Sequence, residues 1–252
     1  MKILKLGGSF ITRKSGYREA DSANLQTAAK AVAAVWKKGV RDFILVHGAG
    51  SFGHALVLKY KINEGVKTRE QKLGFADTHA ACSELSSLLS NALISEGVPA
   101  ISIPPASILE QKNRRISKFN DALVQAYMEA GFLPVLYGDM VPDSEIGGSV
   151  CSGDQIVSYL GKDAEFIVLA TNVDGVLDDS GKVIPKITVA NFSEIRRHLK
   201  KAENDVTGAM EGKLREILSL DAPSYIVNAA APERIVGLML GKSALCTEVR
   251  KK

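Results

Sequence analysis

The chain has 252 residues, enough for one large α/β domain or for two small lobes that share a sheet. It is 46% hydrophobic and 24% charged, and its formal net charge of +4 is too small to indicate a nucleic-acid-binding protein. The three cysteines, Cys82, Cys151 and Cys246, form no C-x-x-C pair, which excludes a disulfide scaffold or a zinc module.

The apolar segments are short. None approaches the ~18 residues that a membrane-spanning helix needs. Lys2 and Lys5 interrupt the first apolar run, which therefore differs from the core of a secretory signal. We expect a cytoplasmic protein with reduced thiols and with neither a membrane nor a nucleic-acid partner.

Short apolar segments alternate along the chain with longer amphipathic stretches. This order predicts an α/β fold, a three-layer αβα sandwich around a mostly parallel open sheet. We predict strands at Lys2–Leu6, 42–46, 99–103, Leu133–Tyr137, 165–170, 224–227 and 244–249. We predict helices at 20–38, 69–96, 119–130, 154–160 and 208–220.

One segment departs from this alternation. Residues 138–153 hold several glycines and Pro142 around a short apolar alternation, which predicts a β-hairpin. Because no Pro- or Ser-rich linker interrupts the chain, we predict a single domain, 1–252. Within it we expect an acceptor-binding lobe at about 1–160 and a nucleotide-binding lobe at about 161–252.

Two glycine-bearing loops directly follow predicted strands in the first 54 residues. The first is Gly7-Gly8-Ser9, and the second is the block 47–54, His-Gly-Ala-Gly-Ser-Phe-Gly-His. Glycine lets the backbone approach a phosphate closely, and the N–H groups of such turns point at the anion. Because loops at the carboxyl ends of parallel strands share one edge of the sheet, the pair predicts two phosphate groups held face to face. This arrangement is typical of a phosphoryl transferase.

Three further segments carry candidate polar groups: Ser152-Gly153-Asp154, 171–176 and 204–213. Asp154 is either a helix N-cap or a carboxylate that orients lysines. Lys213 has the wrong sign for the first turn of a helix, a mismatch that a bound anion would correct. The chain has no Walker A loop, no protein-kinase motif set and no G-x-S-x-G elbow.

These segments resemble the amino-acid-kinase fold family over essentially the full length, and within it the isopentenyl phosphate kinases. The matching pieces are Lys5-Leu6-Gly7-Gly8-Ser9, Ile11-Thr12 with Lys14-Ser15, the block 47–54, Tyr137-Gly138-Asp139, Ser152-Gly153-Asp154, Thr171 with Val173-Asp174-Gly175, Asn204-Asp205-Val206-Thr207-Gly208 with Lys213, and Pro232-Glu233-Arg234. The second histidine of the block 47–54 is typical of isopentenyl phosphate kinases and of fosfomycin kinase. Ala49 stands where many members have glycine, which is tolerable if φ stays negative.

The resemblance implies ATP-dependent phosphorylation of isopentenyl phosphate to isopentenyl diphosphate by a homodimer. Mg²⁺ is expected to arrive with ATP and to need no dedicated protein site. The implied catalytic residues are Lys5, Lys14, His54 and Asp154. The implied ATP-binding residues are Lys5, Leu6, Gly7, Gly8, Ser9, Gly50, Asp174, Gly208, Gly212 and Lys213. The acceptor phosphate would contact Ala49, Gly53, His54 and Gly153. An apolar slot for the tail is expected from Phe75, His79 and Ile146, with Leu73 and Val150 nearby.

The chemistry of such a transfer agrees with these residue types. A phosphate monoester has a second pKa of ~6, so its attacking oxygen is already largely anionic at neutral pH and needs no general base. The requirement is to overcome repulsion between two anions with cations and oriented amides. Lys5, Lys14 and Lys213 would supply the charge. We expect His54 to donate a hydrogen bond to the acceptor phosphate, whereas His47 either contacts ligand or braces its loop.

Two other functions remain open from the sequence. A related kinase of the same fold could act on a phosphonate, carbamate or acylamino acid; carboxylate acceptors would call for an arginine or asparagine clamp in place of His54. A nucleotide-binding regulatory protein on this scaffold would bind ATP without turnover, and the lysines speak against it. A nicotinamide dehydrogenase would leave His47 and His54 unexplained.

Overall fold

The structure is a computed structural model that describes residues 1–13, 16–199 and 209–252. Its strands are β1 Lys2–Leu6, β2 Phe43–His47, β3 Ala100–Ser102, β4 Leu109–Lys112, β5 Arg115–Phe119, β6 Leu133–Tyr137, β7 Asp139–Asp143, β8 Gly147–Cys151, β9 Ile167–Thr171, β10 Lys186–Ile187, β11 Ser224–Asn228 and β12 Thr247–Val249. Its α-helices are α1 Gly8–Ile11, α2 Ser22–Lys37, α3 His54–Lys59, α4 Arg69–Ser95, α5 Asp121–Glu129, α6 Gly153–Leu160, α7 Val189–Leu199, α8 Ala209–Leu218 and α9 Pro232–Met239. Within these ranges, no helix is both long and apolar enough to cross a membrane.

The main sheet has eight strands in the order β10-β12-β11-β9-β1-β2-β6-β3. Each neighbouring pair runs parallel except β11 and β12, which are antiparallel. The predicted mostly parallel sheet is therefore confirmed. Strands β1, β2, β6 and β9 are central and buried, and their carboxyl ends place the glycine loops at one edge, as a doubly wound sheet requires.

Helices cover both faces of this sheet, as predicted for the αβα sandwich. Residues of α2, α4 and α9 pack with alternate strand residues such as Leu4 and Leu45 in one core. Residues of α5, α6, α7 and α8 pack with the intervening residues, such as Ile3 and Ile44, in the other. Because side chains alternate along a strand, Lys5 lies on the same face as Ile3, beneath α6.

A second sheet, in the order β5-β4-β7-β8, lies beside the carboxyl edge of the first. The predicted hairpin at 138–153 is confirmed as β7 and β8, which pair antiparallel. The hairpin of β4 and β5 was not predicted, and the helix predicted at 119–130 begins at Asp121 because β5 extends to Phe119. Helices α1, α3, α7 and α9 and strand β10 were also missed. Pro232, at the first position of α9, was an available helix-start signal.

Asp143 joins the tips of the two hairpins. Its carboxylate accepts hydrogen bonds from the backbone N–H groups of Asn113, Arg114, Glu145 and Ile146 at 2.7 to 3.3 Å, and from the Ser149 hydroxyl at 2.9 Å. Burial alone would raise the pKa of Asp143, but these donors outweigh it and lower the pKa to about 2. The ionised carboxylate therefore stabilises the folded state.

We expect Asp143→Asn to lower the free energy of unfolding by about 2 kcal/mol at pH 7. The stabilisation is complete above the unfolded pKa near 3.8 and is lost as pH falls toward 2. The wild-type melting temperature should therefore fall steeply across that interval, and the variant's should fall less. If the melting temperatures of the two proteins fell in parallel between pH 5 and pH 2, this expectation would be contradicted.

Candidate active site

Two lysines and one carboxylate meet at the carboxyl end of β1. Lys5 Nζ lies 3.1 Å from Asp154 Oδ1, and Lys213 Nζ lies 2.9 Å from the same oxygen. The N-cap of α6 is Ser152, whose hydroxyl accepts from the Gln155 N–H, so Asp154 is free of that role. Asp154 instead holds two ammonium groups, one from β1 and one from α8, at a single point.

Burial shapes the electrostatics of this trio. Burial alone would raise the pKa of Asp154, but the charges of Lys5 and Lys213 outweigh it and hold that pKa well below its usual range. Desolvation lowers the pKa of Lys5 to about 8, with Asp154 opposing the shift and Lys213 adding to it. The trio carries a net positive charge, and an incoming phosphate would complete its neutralisation.

We expect kcat/KM for ATP to fall as pH rises above about 8, because Lys5 is charged below that pH and neutral above it. Bound phosphate favours the charged lysine, so the same limb in kcat should lie at higher pH. Lys5→Arg, which stays protonated, should lack the limb whatever its absolute rate. An unchanged alkaline limb in Lys5→Arg, measured by initial rates from pH 6 to pH 10, would contradict the assignment.

The two glycine loops are in backbone contact. A Cβ at Gly8 would stand 2.4 Å from the Gly50 nitrogen and 2.8 Å from the Gly48 carbonyl carbon. Gly50 has φ of +51°, and a Cβ there would stand 2.1 Å from Thr12 Oγ1. Glycine is required at both positions by space, and at Gly50 by conformation as well. From the sequence the two loops are expected to share one edge of the sheet, and the structure brings them into contact there. That they hold two phosphate groups stays a prediction.

Backbone amides converge beside these loops. A Cβ at Gly138 would lie 3.3 Å from the Gly153 nitrogen and 3.6 Å from the Ala49 nitrogen. We call this group of three residues, Ala49, Gly138 and Gly153, the amide cradle. Ala49 has φ of −74°, so alanine fits there without strain. Gly53 packs against Ala49, and His54 follows it as the exposed first residue of α3.

His47 lies beneath the second loop. Its ring is fully buried and stacks on Tyr137, with centroids 5.4 Å apart. Nδ1 is 3.1 Å from the Gly48 carbonyl oxygen, while Nε2 has no hydrogen-bond partner among the described residues. Burial lowers the pKa of His47 to about 4, so the ring is neutral at physiological pH. Of the two interpretations left open, this geometry favours the one in which His47 braces its loop.

A small apolar cluster includes Met140, which follows Gly138 of the amide cradle by two residues. Val57, Ile62 and Met140 form its buried part, and Phe75 and Val150 pack against it. The Phe75 ring also covers Gly148, where a Cβ would lie 2.7 Å from Cε2. Ile146, in the β7–β8 turn, packs on Gly65, and His79 lies one turn after Phe75 on α4. Leu73 is 60% exposed and lies outside the cluster.

Four of the remaining predicted nucleotide residues, Leu6, Gly7, Ser9 and Asp174, lie at or just after the carboxyl ends of β1 and β9. Leu6 is buried, the Gly7 N–H donates to the Ala170 carbonyl, and Ser9 accepts from Asn172 Nδ2 at 3.2 Å. Asp174 accepts from Asn228 Nδ2 at 3.0 Å and pairs with Arg234 Nη1 at 2.5 Å, a partnership that the sequence analysis missed although it singled out Arg234. Gly212, on α8, has open space around it. Lys14 and Gly208 lie outside the described residues.

The described residues contain no cluster of three or more His, Cys, Asp or Glu side chains that could hold a metal ion. Chelation of Mg²⁺ by the phosphates of a nucleotide, with bound water retained, needs no such cluster. Lys5 and Lys213 could neutralise phosphate charge, and the amides of the cradle could orient the acceptor. Chemically, the site can align two anions and stabilise charge on a group moving between them.

The chain belongs to the amino acid kinase family, which its residues 1–221 match. It is 36% identical to the isopentenyl phosphate kinase of Methanothermobacter thermautotrophicus over 268 aligned positions, covering 100% of both chains. It is 32% identical to the isopentenyl phosphate kinase of Methanocaldococcus jannaschii, covering 96% of each.

Solved structures of isopentenyl phosphate kinases are also similar to this chain over nearly its full length. An X-ray structure of isopentenyl phosphate kinase superposes with a TM-score of 0.84 and 33% identity, covering 98% of this chain and 99% of that one. An isopentenyl phosphate kinase substrate complex superposes with a TM-score of 0.76 and 27% identity, covering 99% and 100%. The fold implied by the sequence resemblance is therefore confirmed.

Proposed function

We propose that this protein transfers the γ-phosphoryl group of ATP to isopentenyl phosphate, forming isopentenyl diphosphate and ADP. One observation carries the proposal: Lys5 and Lys213 both pair with Asp154 beside two glycine loops that are in backbone contact. Full-length similarity to isopentenyl phosphate kinases supports the choice of acceptor.

In the proposed reaction an acceptor phosphate oxygen attacks the γ-phosphorus as the bond to the β–γ bridging oxygen breaks. The acceptor is already ionised, so no side chain removes a proton. Lys5 and Lys213, oriented by Asp154, stabilise charge on the transferring group. The amides of Gly8 and Gly50 bind ATP phosphates, and the amides of Ala49 and Gly153 with the His54 imidazole hold the acceptor phosphate. Mg²⁺ held by the ATP phosphates would neutralise part of their charge.

The proposal extends to the remaining predicted residues and to the setting of the protein. Asp174, Gly208 and Gly212 would line the nucleotide site of the C-terminal lobe at about 161–252, and Lys14 would add a cation. Phe75, His79 and Ile146 would border the tail slot of the N-terminal lobe at about 1–160. We propose a cytoplasmic homodimer, an assembly that light scattering of the purified protein would test.

An acceptor panel tests the function. The purified protein with Mg²⁺ and ATP is offered isopentenyl phosphate, dimethylallyl phosphate, fosfomycin or acetylglutamate, and ADP release is followed together with the phosphorylated product. We expect the C5 monophosphates to be the best acceptors by kcat/KM. A preference for fosfomycin or acetylglutamate would replace the proposed acceptor by another of the same fold family. ATP binding with no turnover on any acceptor would refute an enzymatic role.

A further inference from the structure

Asp139 is a buried carboxylate that none of the steps above uses. Its side chain is completely buried, at the corner where β6 passes into β7. The carboxylate accepts from the Met140 N–H at 2.7 Å and from the Ala106 N–H at 3.3 Å. His79 Nδ1, on α4, lies 2.8 Å from one of its oxygens and 3.1 Å from the other. A carboxylate in such a place needs hydrogen-bond partners, and the nitrogens of Met140, Ala106 and His79 supply them.

The residue before Asp139 belongs to the amide cradle. Gly138 donates its N–H to the His47 carbonyl at 3.0 Å, and a Cβ on it would lie 3.3 Å from the Gly153 nitrogen and 3.6 Å from the Ala49 nitrogen. Because Gly138 directly precedes Asp139, a shift of the Asp139 corner would move Gly138 relative to those two amides. Asp139 thus holds the cradle in place through the backbone of Gly138.

The partner of Asp139 lies on α4. We call the turn of α4 from Phe75 to His79 the tail wall, because both residues are proposed to border the acceptor's tail. His79 follows Phe75 by four residues on α4, so both side chains lie on one face of that helix. Phe75 packs in the apolar cluster with Met140, the residue after Asp139. The hydrogen bond from His79 to Asp139 therefore links the helix of the tail wall directly to the corner of the cradle.

We propose that His79 and Asp139 are a positioning pair that holds the tail wall and the amide cradle in fixed register, and thereby sets the affinity for the acceptor. The inference rests on the proposed function, because it concerns the same acceptor site. The pair acts through its Nδ1–carboxylate hydrogen bond. The outer ring nitrogen, on a side chain that is 36% exposed, is not required for this role.

Three substitutions at His79 separate this role from direct contact with the acceptor. His79→Asn keeps a donor close to the position of Nδ1, His79→Gln places its donor close to the position of Nε2, and His79→Leu has neither. Ser83→Ala is the matched control: Ser83 lies one turn further along α4 and bonds the Tyr137 hydroxyl at 2.9 Å, so its loss removes a different link between α4 and β6.

We expect His79→Leu and His79→Gln to raise the KM for isopentenyl phosphate about tenfold, because a buried carboxylate loses a donor. His79→Asn should recover most of the acceptor affinity that His79→Leu loses. Ser83→Ala should stay close to wild type, and the KM for ATP should not change in any of the four. Rescue by Gln but not by Asn would overturn the proposal in favour of direct contact with the acceptor. Control-like KM values in all three His79 variants, or equal rises in both KM values, would also overturn it.

Assays of the wild-type enzyme distinguish failure of the proposed function from failure of the positioning pair. If wild type fails to phosphorylate isopentenyl phosphate, the proposed function fails. If wild type is active and His79→Leu has an unchanged acceptor KM, the positioning pair alone fails. Asp139→Asn offers a second measurement, since it keeps one oxygen acceptor while removing the charge, and it should raise the same KM in any preparation that melts cooperatively.

Discussion

Asp154→Asn is expected to lower kcat by about 100-fold, with a smaller change in the KM for ATP. Asparagine cannot neutralise Lys5 and Lys213, whose ammonium groups both lie within 3.1 Å of one Asp154 oxygen. Without the carboxylate the two cations repel each other. The pKa of Lys5, already lowered by burial, would then fall further and leave that lysine neutral at working pH.

Asp178→Asn is the matched control for this variant. Asp178 belongs to an exposed turn, where its carboxylate accepts from Ser180 and Lys182, and asparagine can keep those bonds. Single-turnover and steady-state rates should show the loss for Asp154 alone. A near-wild-type kcat in a folded Asp154→Asn protein would mean that the lysines need no carboxylate, and the proposed site would lose its centre.

His54→Ala is expected to reduce kcat/KM for the acceptor by about 100-fold, whereas His54→Gln should retain roughly a tenth of it or more. His54 is exposed at the start of α3, directly after Gly53 and close to the amide cradle. Glutamine can still donate a hydrogen bond to the acceptor phosphate, and alanine cannot. A donor role therefore predicts a graded series, and a proton-abstracting role would predict equal loss in both variants.

Lys59→Ala supplies the control for His54. Lys59 is exposed at the other end of α3, so its removal tests for general loss of surface charge near the site. Initial rates with isopentenyl phosphate should separate the three variants. Equal, near-wild-type rates for His54→Ala and His54→Gln would remove His54 from the site.

The sequence was most informative where short-range geometry decides the structure. A strand followed by paired glycines predicts an anion-binding loop, and the period-two alternation of β1 places Lys5 with Ile3 on one face. The order of strands and helices was enough to predict the parallel sheet. These features depend on neighbours within a few residues, so they can be read without knowing the fold.

Other features depend on contacts between distant segments. The β4–β5 hairpin was missed because its turn, Asn113-Arg114, lacks glycine; both residues have positive φ and give their N–H groups to Asp143. The pairing of His79 with Asp139 joins residues 60 positions apart. A carboxylate in an apolar strand was a visible anomaly, but no local pattern could identify its partner.

The contact between Gly8 and Gly50 limits which residues of the protein can be substituted. Where the two loops touch, even one added methyl group collides with backbone, so neither glycine tolerates a larger side chain. Phe75 on α4 and Val150 on β8, which pack against the apolar cluster, lie outside that junction and can be varied. New acceptors are therefore best sought by substitution at those two positions, with the glycine junction kept unchanged.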